Sequence, residues 1–488
     1  MIRSLKIFTL KLIQMPTGDD VEKITSILIA QYLERKGYHA SLGAFLNESQ
    51  LPPGINDEYN KEHVSHLELE DLEAIVSDRV QYGRDRLINQ LHTLTLNNEL
   101  SPLDAYKYGS PAWNLQGEYK LSKSLDLGGL PISCSFSDYK GTVYDQVDSI
   151  ISSSNRNVLL CDNRLNVREN ISEGQYNVSG IVRLCGTIKE TELYYTSTMD
   201  GTFAIFRRDL TTLPGTPYRL HSRAITHLAF HTIDDGTFYI ISCGMDNLLK
   251  VSLLNINSDS ICINSVSEVP LSSMCTSLSV TVAGGDKDID TTPLILVTRL
   301  DFTHVMCYSL DDRQRLVLLF NIALNDSEFS AYAFNVWDTT VFNFHVADEH
   351  VTSHPRTLLA AVTSHTPYMR LLIVEIPSLK EIGEAFKLAQ SSPITYYDKI
   401  LRNLVTQVQQ SSFSRPIVRY LPAANGLIVG TDEGLYAIDT NSGNSWKMNL
   451  MEHLSEKRVR CLDVATQDSR ILVGLSDKSV YLFDLCPW

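Results

Sequence analysis

At 488 residues, with 43% hydrophobic and 20% charged residues, 25 Gly and 17 Pro, the chain has an ordinary globular composition and no run of 18 apolar residues that would cross a bilayer as a helix. Its formal charge is -15 and no Lys/Arg cluster stands out, so the counterion release that drives nucleic-acid binding has little to act on, and neither nucleic acid nor membrane is expected as a direct partner. The nine cysteines, at 134, 161, 185, 243, 262, 275, 307, 461 and 486, are scattered singly without a CxxC pair, which fits reduced thiols in the nucleus or cytoplasm and not a disulfide scaffold or zinc ribbon.

The opening "MIRSLKIFTLKLIQM" has Arg3 and Lys6 ahead of apolar residues, but Lys11 interrupts them and no small-residue cleavage site follows. Residues 1–20 therefore read as a disordered leader, and the chain is not expected to be secreted. The glycosylation triplets at Asn47, Asn170, Asn177 and Asn325 then carry no weight.

From Val21, the apolar residues Ile24, Ile27, Leu28 and Leu33, with Tyr32, recur at helical spacing. Gly37 stands where a C-cap needs positive φ. A second helix begins near His39, presents Leu42, Phe45 and Leu46 on one side, and is stopped by Pro52 and Pro53. Two such helices fall well below the roughly 40 residues a lone chain usually needs to bury enough surface to fold. Their apolar stripe must meet something else, and a second copy of itself is the simplest closed solution.

The stretch "LIAQYLERKGYHASLGAFLNES", within residues 21–50, resembles a LisH motif at Leu28, Ile29, Tyr32, Leu33, Gly37, Tyr38, Ser41, Phe45, Glu48 and Ser49. The resemblance implies homodimerisation, in some cases tetramerisation. Downstream, residues 51–100 read as a linker and a long helix, opened by a Ser65–Glu68 capping box and carrying apolar residues from Leu72 to Leu94. This helix serves either as an extra dimer or stalk helix or as one docked under the following domain.

The remainder, residues 112–488, is repetitive. The stretches "VLLCDNRLNV", "YYTSTMDGTFAIF", "IISCGMDNLLKVSLL", "LILVTRLDFTHVMCYSL", "GLIVGTDEGLYAID" and "ILVGLSDKSVYLFDL" each read as an apolar strand, a turn with aspartate and a second strand. Their aspartates are Asp162, Asp200, Asp246, Asp301, Asp432 and Asp477, spaced by 38, 46, 55, 131 and 45 residues. In the long gap, "TLLAAVTSHTPYMRLLIVEI" repeats the pattern with His365 and Thr366 in place of aspartate, making seven units. A preceding strand appears in "LPISCSF", "AITHLAFH", "RPIVRYLP" and "RVRCLDVA".

Short strands at this period, with aspartate turns between the second and third, resemble degenerate WD40 repeats, which form four-stranded propeller blades. No unit ends in Trp-Asp, and only His221 resembles the family's Gly-His dipeptide. The expected fold class is mainly β, a seven-bladed WD40-like propeller preceded by an α-helical LisH module. The last unit is one strand short, and residues 117–127, "GEYKLSKSLDL", supply a spare strand whose pairing with it would close the ring; eight blades, with the fifth unit split, is the alternative. Two stretches, 325–356 and 391–413, exceed normal connection lengths and read as insertions, the second with a helical pattern in Ile394, Tyr397, Ile400, Leu404 and Val408.

Little here points to catalysis. His345, Asp348, Glu349, His350 and His354 are the one close set of metal-capable residues and read as a solvated loop. There is no GxSxG, P-loop or GxGxxG motif. One aspartate per unit is explained by turns that bond their own backbone, not by paired acid–base carboxylates. No enzyme activity, cofactor or metal is expected. By resemblance, LisH followed by WD40 repeats implies a non-catalytic scaffold or adapter subunit that self-associates and binds other proteins or peptides on the propeller faces. The alternatives are a substrate receptor of a ubiquitin ligase, disfavoured because residues 65–98 are short for the helical segment such receptors carry, and a propeller enzyme.

Overall fold

Two helices open the described part of the chain. The computed structural model describes residues 18–49, 72, 113–137, 149–171, 180–188, 191–207, 212–257, 260–282, 293–325, 334–344, 356–389, 393–448, 457–465 and 470–486. Residues 1–95 and 96–488 form separate compact units. The Ser65–Glu68 capping box, all of the expected long helix but Leu72, and the set His345, Asp348, Glu349, His350 and His354 lie outside the described residues.

In the first unit, α1 spans Gly18–Arg35 and α2 spans His39–Glu48. Helix α1 starts at Gly18, inside the stretch read from the sequence as a leader. It ends in a Schellman motif. Gly37 adopts φ +74, its N–H donates to the carbonyl of Glu34 at 3.0 Å, and the N–H of Tyr38 donates to that of Leu33 at 2.9 Å.

The second unit holds seven sheets. Blade 1 is β2 (Pro131–Phe136), β3 (Ser149–Ser153), β4 (Val158–Cys161) and β5 (Val167–Ile171). Blade 2 is β6 (Val182–Thr187), β7 (Tyr194–Thr198), β8 (Thr202–Phe206) and β9 (Tyr218–Arg219). Blade 3 is β10 (Ile225–Asp234), β11 (Thr237–Gly244), β12 (Leu248–Ile256) and β13 (Ile261–Pro270). Blade 4 is β14 (Cys275–Val282), β15 (Pro293–Arg299), β16 (His304–Leu310) and β17 (Leu316–Ala323). Blade 5 begins with β18 (Val336–Phe344), β19 (Arg356–Thr363) and β20 (Tyr368–Glu375). The connection that follows carries α3 (Leu379–Leu388) and β21 (Ile394–Tyr396), which pairs in parallel with β17 as a fifth strand of blade 4, before β22 (Ile400–Gln409) completes blade 5. Blade 6 is β23 (Ile417–Leu421), β24 (Gly426–Thr431), β25 (Gly434–Ile438) and β26 (Ser445–Lys447). Blade 7 is β27 (Val459–Val464), β28 (Ile471–Leu475) and β29 (Ser479–Cys486). Its fourth strand is β1 (Glu118–Asp126), paired antiparallel with β29 from Glu118↔Cys486 to Asp126↔Ser479.

The fold is thus a mainly β, seven-bladed propeller with N-terminal helices. The first strands of adjacent blades lie side by side around the whole ring, β27 against β2 included. Each of the seven buried clusters is shared by two neighbouring blades: Ile150 and Leu160 of blade 1 meet Cys185 and Phe206 of blade 2, and Leu472 and Leu482 of blade 7 meet Cys134 and Ile151 of blade 1. Middle strands are therefore covered on both faces, and β4 and β24 read as unbroken apolar runs, whereas outer strands such as β5 and β13 are largely exposed.

Three expectations from the sequence are corrected. Asp162 follows β4 and sits between the third and fourth strands of blade 1, one turn out of phase with the other five aspartates. The second strand there, "SIISS", is serine-rich, so the first apolar run of that blade is its third strand. The stretch 325–356 is not simply an insertion, since Val336–Phe344 is the first strand of blade 5. Nor is 391–413 helical: it forms β21 and β22, and the apolar residues at helical spacing straddle a turn between two strands. The helix lies earlier, at Leu379–Leu388.

Candidate protein-interaction surfaces

The helical hairpin leaves much of its expected contact set open. Ile27 and Ala30 of α1 are buried, but Leu28, Ile29, Tyr32 and Leu33 are only half-buried. Helix α2 has no buried residue: Leu42, Phe45 and Leu46 are half-buried, and Gly37, Ser41 and Tyr38 are exposed, Tyr38 at 53%. A Cβ on Gly37 would meet nothing within 4 Å, so glycine is required there by its positive φ and not by crowding.

On the propeller, Asp200, Asp246, Asp301, Asp432 and Asp477 all occupy turns between second and third strands, and these turns share one end of the ring with the connections between blades. Asp200 accepts from the Thr202 N–H at 3.1 Å and from the Thr198 hydroxyl. Asp432 accepts from the Ser414 hydroxyl at 2.5 Å and pairs with Arg458 at 3.1 Å. Asp477 accepts from the Ser479 N–H at 3.0 Å, from Lys457 at 2.7 Å and from the Tyr481 hydroxyl at 2.7 Å. Asp301 contributes through its backbone, with φ +56 and its N–H donated to Asn335 Oδ1 at 2.7 Å. In blade 5, the Thr363 hydroxyl meets His365 Nδ1 at 2.8 Å.

Blade 3 carries the fullest arrangement. His221 Nδ1 lies 2.9 Å from Asp246 Oδ1, its Nε2 lies 2.9 Å from the Ser242 hydroxyl, and Asp246 Oδ2 accepts from the Ser222 N–H and hydroxyl at 3.0 and 3.1 Å. Burial alone would raise the Asp246 carboxyl, but the bonds from His221 and Ser222 outweigh it and hold it below the usual range. Burial also holds His221 below the ordinary imidazole range, against the pull of Asp246. Asp162, at the opposite end, accepts from the N–H groups of Arg164 and Asn166 at 2.9 and 2.8 Å and pairs with Arg168 at 3.2 Å. The carboxylates of Asp162, Asp200, Asp246, Asp432 and Asp477 are thus each engaged by their own blade or the next, which fixes turns and joins blades.

The sequence reading missed a second recurrent device. In six blades the first strand slips register against the second near its start, leaving Ile132, Arg183, Thr226, Thr276, Trp337 and Arg460 as the extra residues. Below these bulges neighbouring blades are joined directly: Asp338 accepts from the Val418 N–H at 3.0 Å and pairs with Arg419 at 2.9 Å, and Asp463 accepts from the Phe136 N–H at 2.8 Å. Among the described residues, no three or more His, Cys, Asp or Glu gather as metal ligands.

Residues 94–484 match a family described as UCP007778, beta-propeller domain, and residues 23–53 match the UCP007778 LisH domain. The chain belongs to the UCP007778 family. A protein of Saccharomyces cerevisiae (strain ATCC 204508 / S288c), named Uncharacterized protein YGR117C, is 35% identical over 471 residues, covering 94% of this chain and 97% of the yeast protein. UCP007778 thus joins a LisH module to a propeller, the combination of a protein-interaction module, and WD40-like is a fair description of its blades.

Proposed function

We propose that this UCP007778 protein is a non-catalytic scaffold or adapter subunit of a multiprotein complex in the nucleus or cytoplasm, self-associating through its helical hairpin and binding partner proteins on its propeller. The observation that carries this reading is α2, a helix with Leu42, Phe45 and Leu46 along one side and no buried residue in the single chain. Apolar surface left half-covered on a short helix is stabilised by pairing with its equal, and a two-fold contact between hairpins is the simplest closed assembly. Two linked copies then present two propellers at once, which raises the effective concentration of any partner that offers two contact points. The family's LisH and propeller domains support both halves of the reading. The carboxylates of Asp162, Asp200, Asp246, Asp432 and Asp477, each committed to a turn or a blade junction, support a structural role over acid–base work.

Affinity purification of the tagged full-length protein with mass spectrometry, beside a variant lacking residues 21–50, tests it. Partners retained after the deletion belong to the propeller, and partners lost depend on assembly. A chain that purifies alone in both forms, or that carries a catalytic turnover traceable to its propeller, overturns the proposal.

A further inference from the structure

We propose that the propeller binds, on the turn face at the junction of blades 5 and 6, a partner peptide in which an acidic side chain adjoins an apolar one, the carboxylate meeting Arg415 and the apolar group meeting Phe413 and Trp337. This rests on the reading above that the propeller is a protein-binding platform.

Phe413 is 81% exposed, more than any other exposed large apolar residue among those described. It is not on a loose tail. The Ser411 N–H donates to the Ser414 hydroxyl at 3.0 Å, the Phe413 N–H to the Ser411 hydroxyl at 3.3 Å, and the Ser414 hydroxyl to Asp432 of blade 6 at 2.5 Å. Upstream, the Gln410 N–H donates to the Pro367 carbonyl at 2.9 Å. A phenyl ring held in water by a hydrogen-bonded turn gains nothing in the free chain, and a preorganised aromatic group loses little freedom when covered.

Two residues on, the Arg415 guanidinium stacks 3.6 Å from the Trp337 ring, and Trp337 is the bulged residue that β18 turns out of register. Arg415 donates only to the carbonyls of Ser412 and Ser414, at 3.3 and 2.8 Å. Among the described residues it has no carboxylate within ion-pair distance, and nearby Asp432 pairs with Arg458. Two guanidinium groups thus flank one carboxylate: burial and the charge of Arg458 hold Arg415 below its ordinary range, and Asp432 opposes them only in part. A carboxylate from outside would relieve that excess by the planar two-point contact that arginine favours. Tryptophan, arginine and an exposed phenylalanine together have the composition of an interface centre. The chain as a whole carries -15, so an acidic segment is repelled by most of the surface and attracted to this local positive excess.

Panning a random twelve-residue phage-displayed peptide library on the full-length protein tests the site, with selected peptides synthesised, labelled with fluorescein and titrated by anisotropy. Expected winners carry Asp or Glu beside Leu, Ile, Phe or Trp. Phe413→Ser and Arg415→Gln should each weaken them by about ten-fold or more, and Arg415→Lys, which keeps the charge, by less. Thermal melts followed by circular dichroism should leave Phe413→Ser at the parental midpoint, as expected for so exposed a side chain. Winners without an acidic residue overturn the partner chemistry. Acidic winners indifferent to both Phe413→Ser and Arg415→Gln overturn the site while leaving the propeller as a binding platform. A library from which nothing is enriched overturns both.

Discussion

His221 and Asp246 stand 2.9 Å apart across two strands of blade 3, the imidazole fully enclosed and bonded on its far side to Ser242. The pair ties the entry to the blade's first strand to the turn between its second and third. Asp246→Ala would leave the buried His221 Nδ1 without its partner, at a cost of about 3 kcal/mol. The expected result is a lower urea midpoint for Asp246→Ala, with Asp200→Ala, in a more exposed turn, clearly milder. Equal midpoints for the two variants would contradict the ranking.

The same pair sets a pH dependence. Burial holds His221 below the ordinary imidazole range, so in the window up to about 6.5 the unfolded chain binds the extra proton and the folded one does not. The His221 contribution is therefore complete above about pH 6.5 and declines as pH falls below it. His227 carries the opposite sign: although burial lowers it, Cys275 and Asp338 raise it. The His221 share is read as the difference between the parental protein and His221→Asn. Urea midpoints from pH 8 to pH 5 should fall more steeply for the parent. At lower pH the lowered carboxyls of Asp200, Asp246 and Asp477 add a second loss, since their contribution is present above about 3.9 and disappears as pH falls through their folded values.

What could be read from the sequence follows from where each strand sits in a blade. Middle strands packed between two blades are unbroken apolar runs, so "IISCG", "LIVGT" and "ILVGL" announced themselves. Outer strands carry polar and exposed residues, and β9 is two residues long, so no pattern marked them. Blade 1 reads one turn late in the sequence because its second strand is two isoleucines among serines. The register slips at Trp337 and Arg183 left no trace, because a bulge is a pairing relation between strands and not a residue type. The hairpin was legible to the residue at Gly37, whose positive φ the glycine anticipates.

Helix α3 had a signal that the helical spacing at Ile394–Val408 obscured. Ser378 accepts from the Glu381 N–H, and Glu381 Oε2 accepts from the Ser378 N–H at 2.7 Å, a reciprocal cap written in the sequence as Ser-x-x-Glu. The same Glu381 reaches the buried Lys399 at 2.6 Å, and this bond holds its carboxyl below the usual range although burial opposes it. Ser378→Ala should therefore cost about 1 kcal/mol and Glu381→Gln more, about 3 kcal/mol, because it strips a buried ammonium of its partner. Hydrogen exchange of residues 379–388, which seat Ile382 and Ala385 in the core shared by blades 4 and 5, should speed up in that order.

Ring closure rests on β1. Tyr119 is 4% exposed, opposite Leu485 of β29, and packs in the core between blades 6 and 7. Tyr119→Asp places an unpaired charge there at a cost of several kcal/mol and frees the edge of β29, an open template for pairing with other chains. Expression of Tyr119→Asp should yield aggregated protein, whereas Glu118→Ala, exposed on the same strand, should elute as the parent does. A soluble, cooperatively melting Tyr119→Asp would show that blade 7 stands without its first-numbered strand.

The hairpin offers the sharpest distinction between assembly and folding. Tyr32 and Phe45 are half-buried in the single chain and lie on the two helices joined at Gly37. If a second hairpin completes their cover, Tyr32→Asp or Phe45→Asp inserts a charge into that contact and costs several kcal/mol of association. The propeller unit has its own seven cores and keeps its structure. Light scattering on the full-length protein should then give a dimer or tetramer for the parent and the monomer mass for both variants, with circular-dichroism melts of the β-rich signal unchanged. Parental masses for both variants, or a parent that is already monomeric at high concentration, would remove the hairpin as the joint and with it the bivalent display on which the proposed scaffold depends.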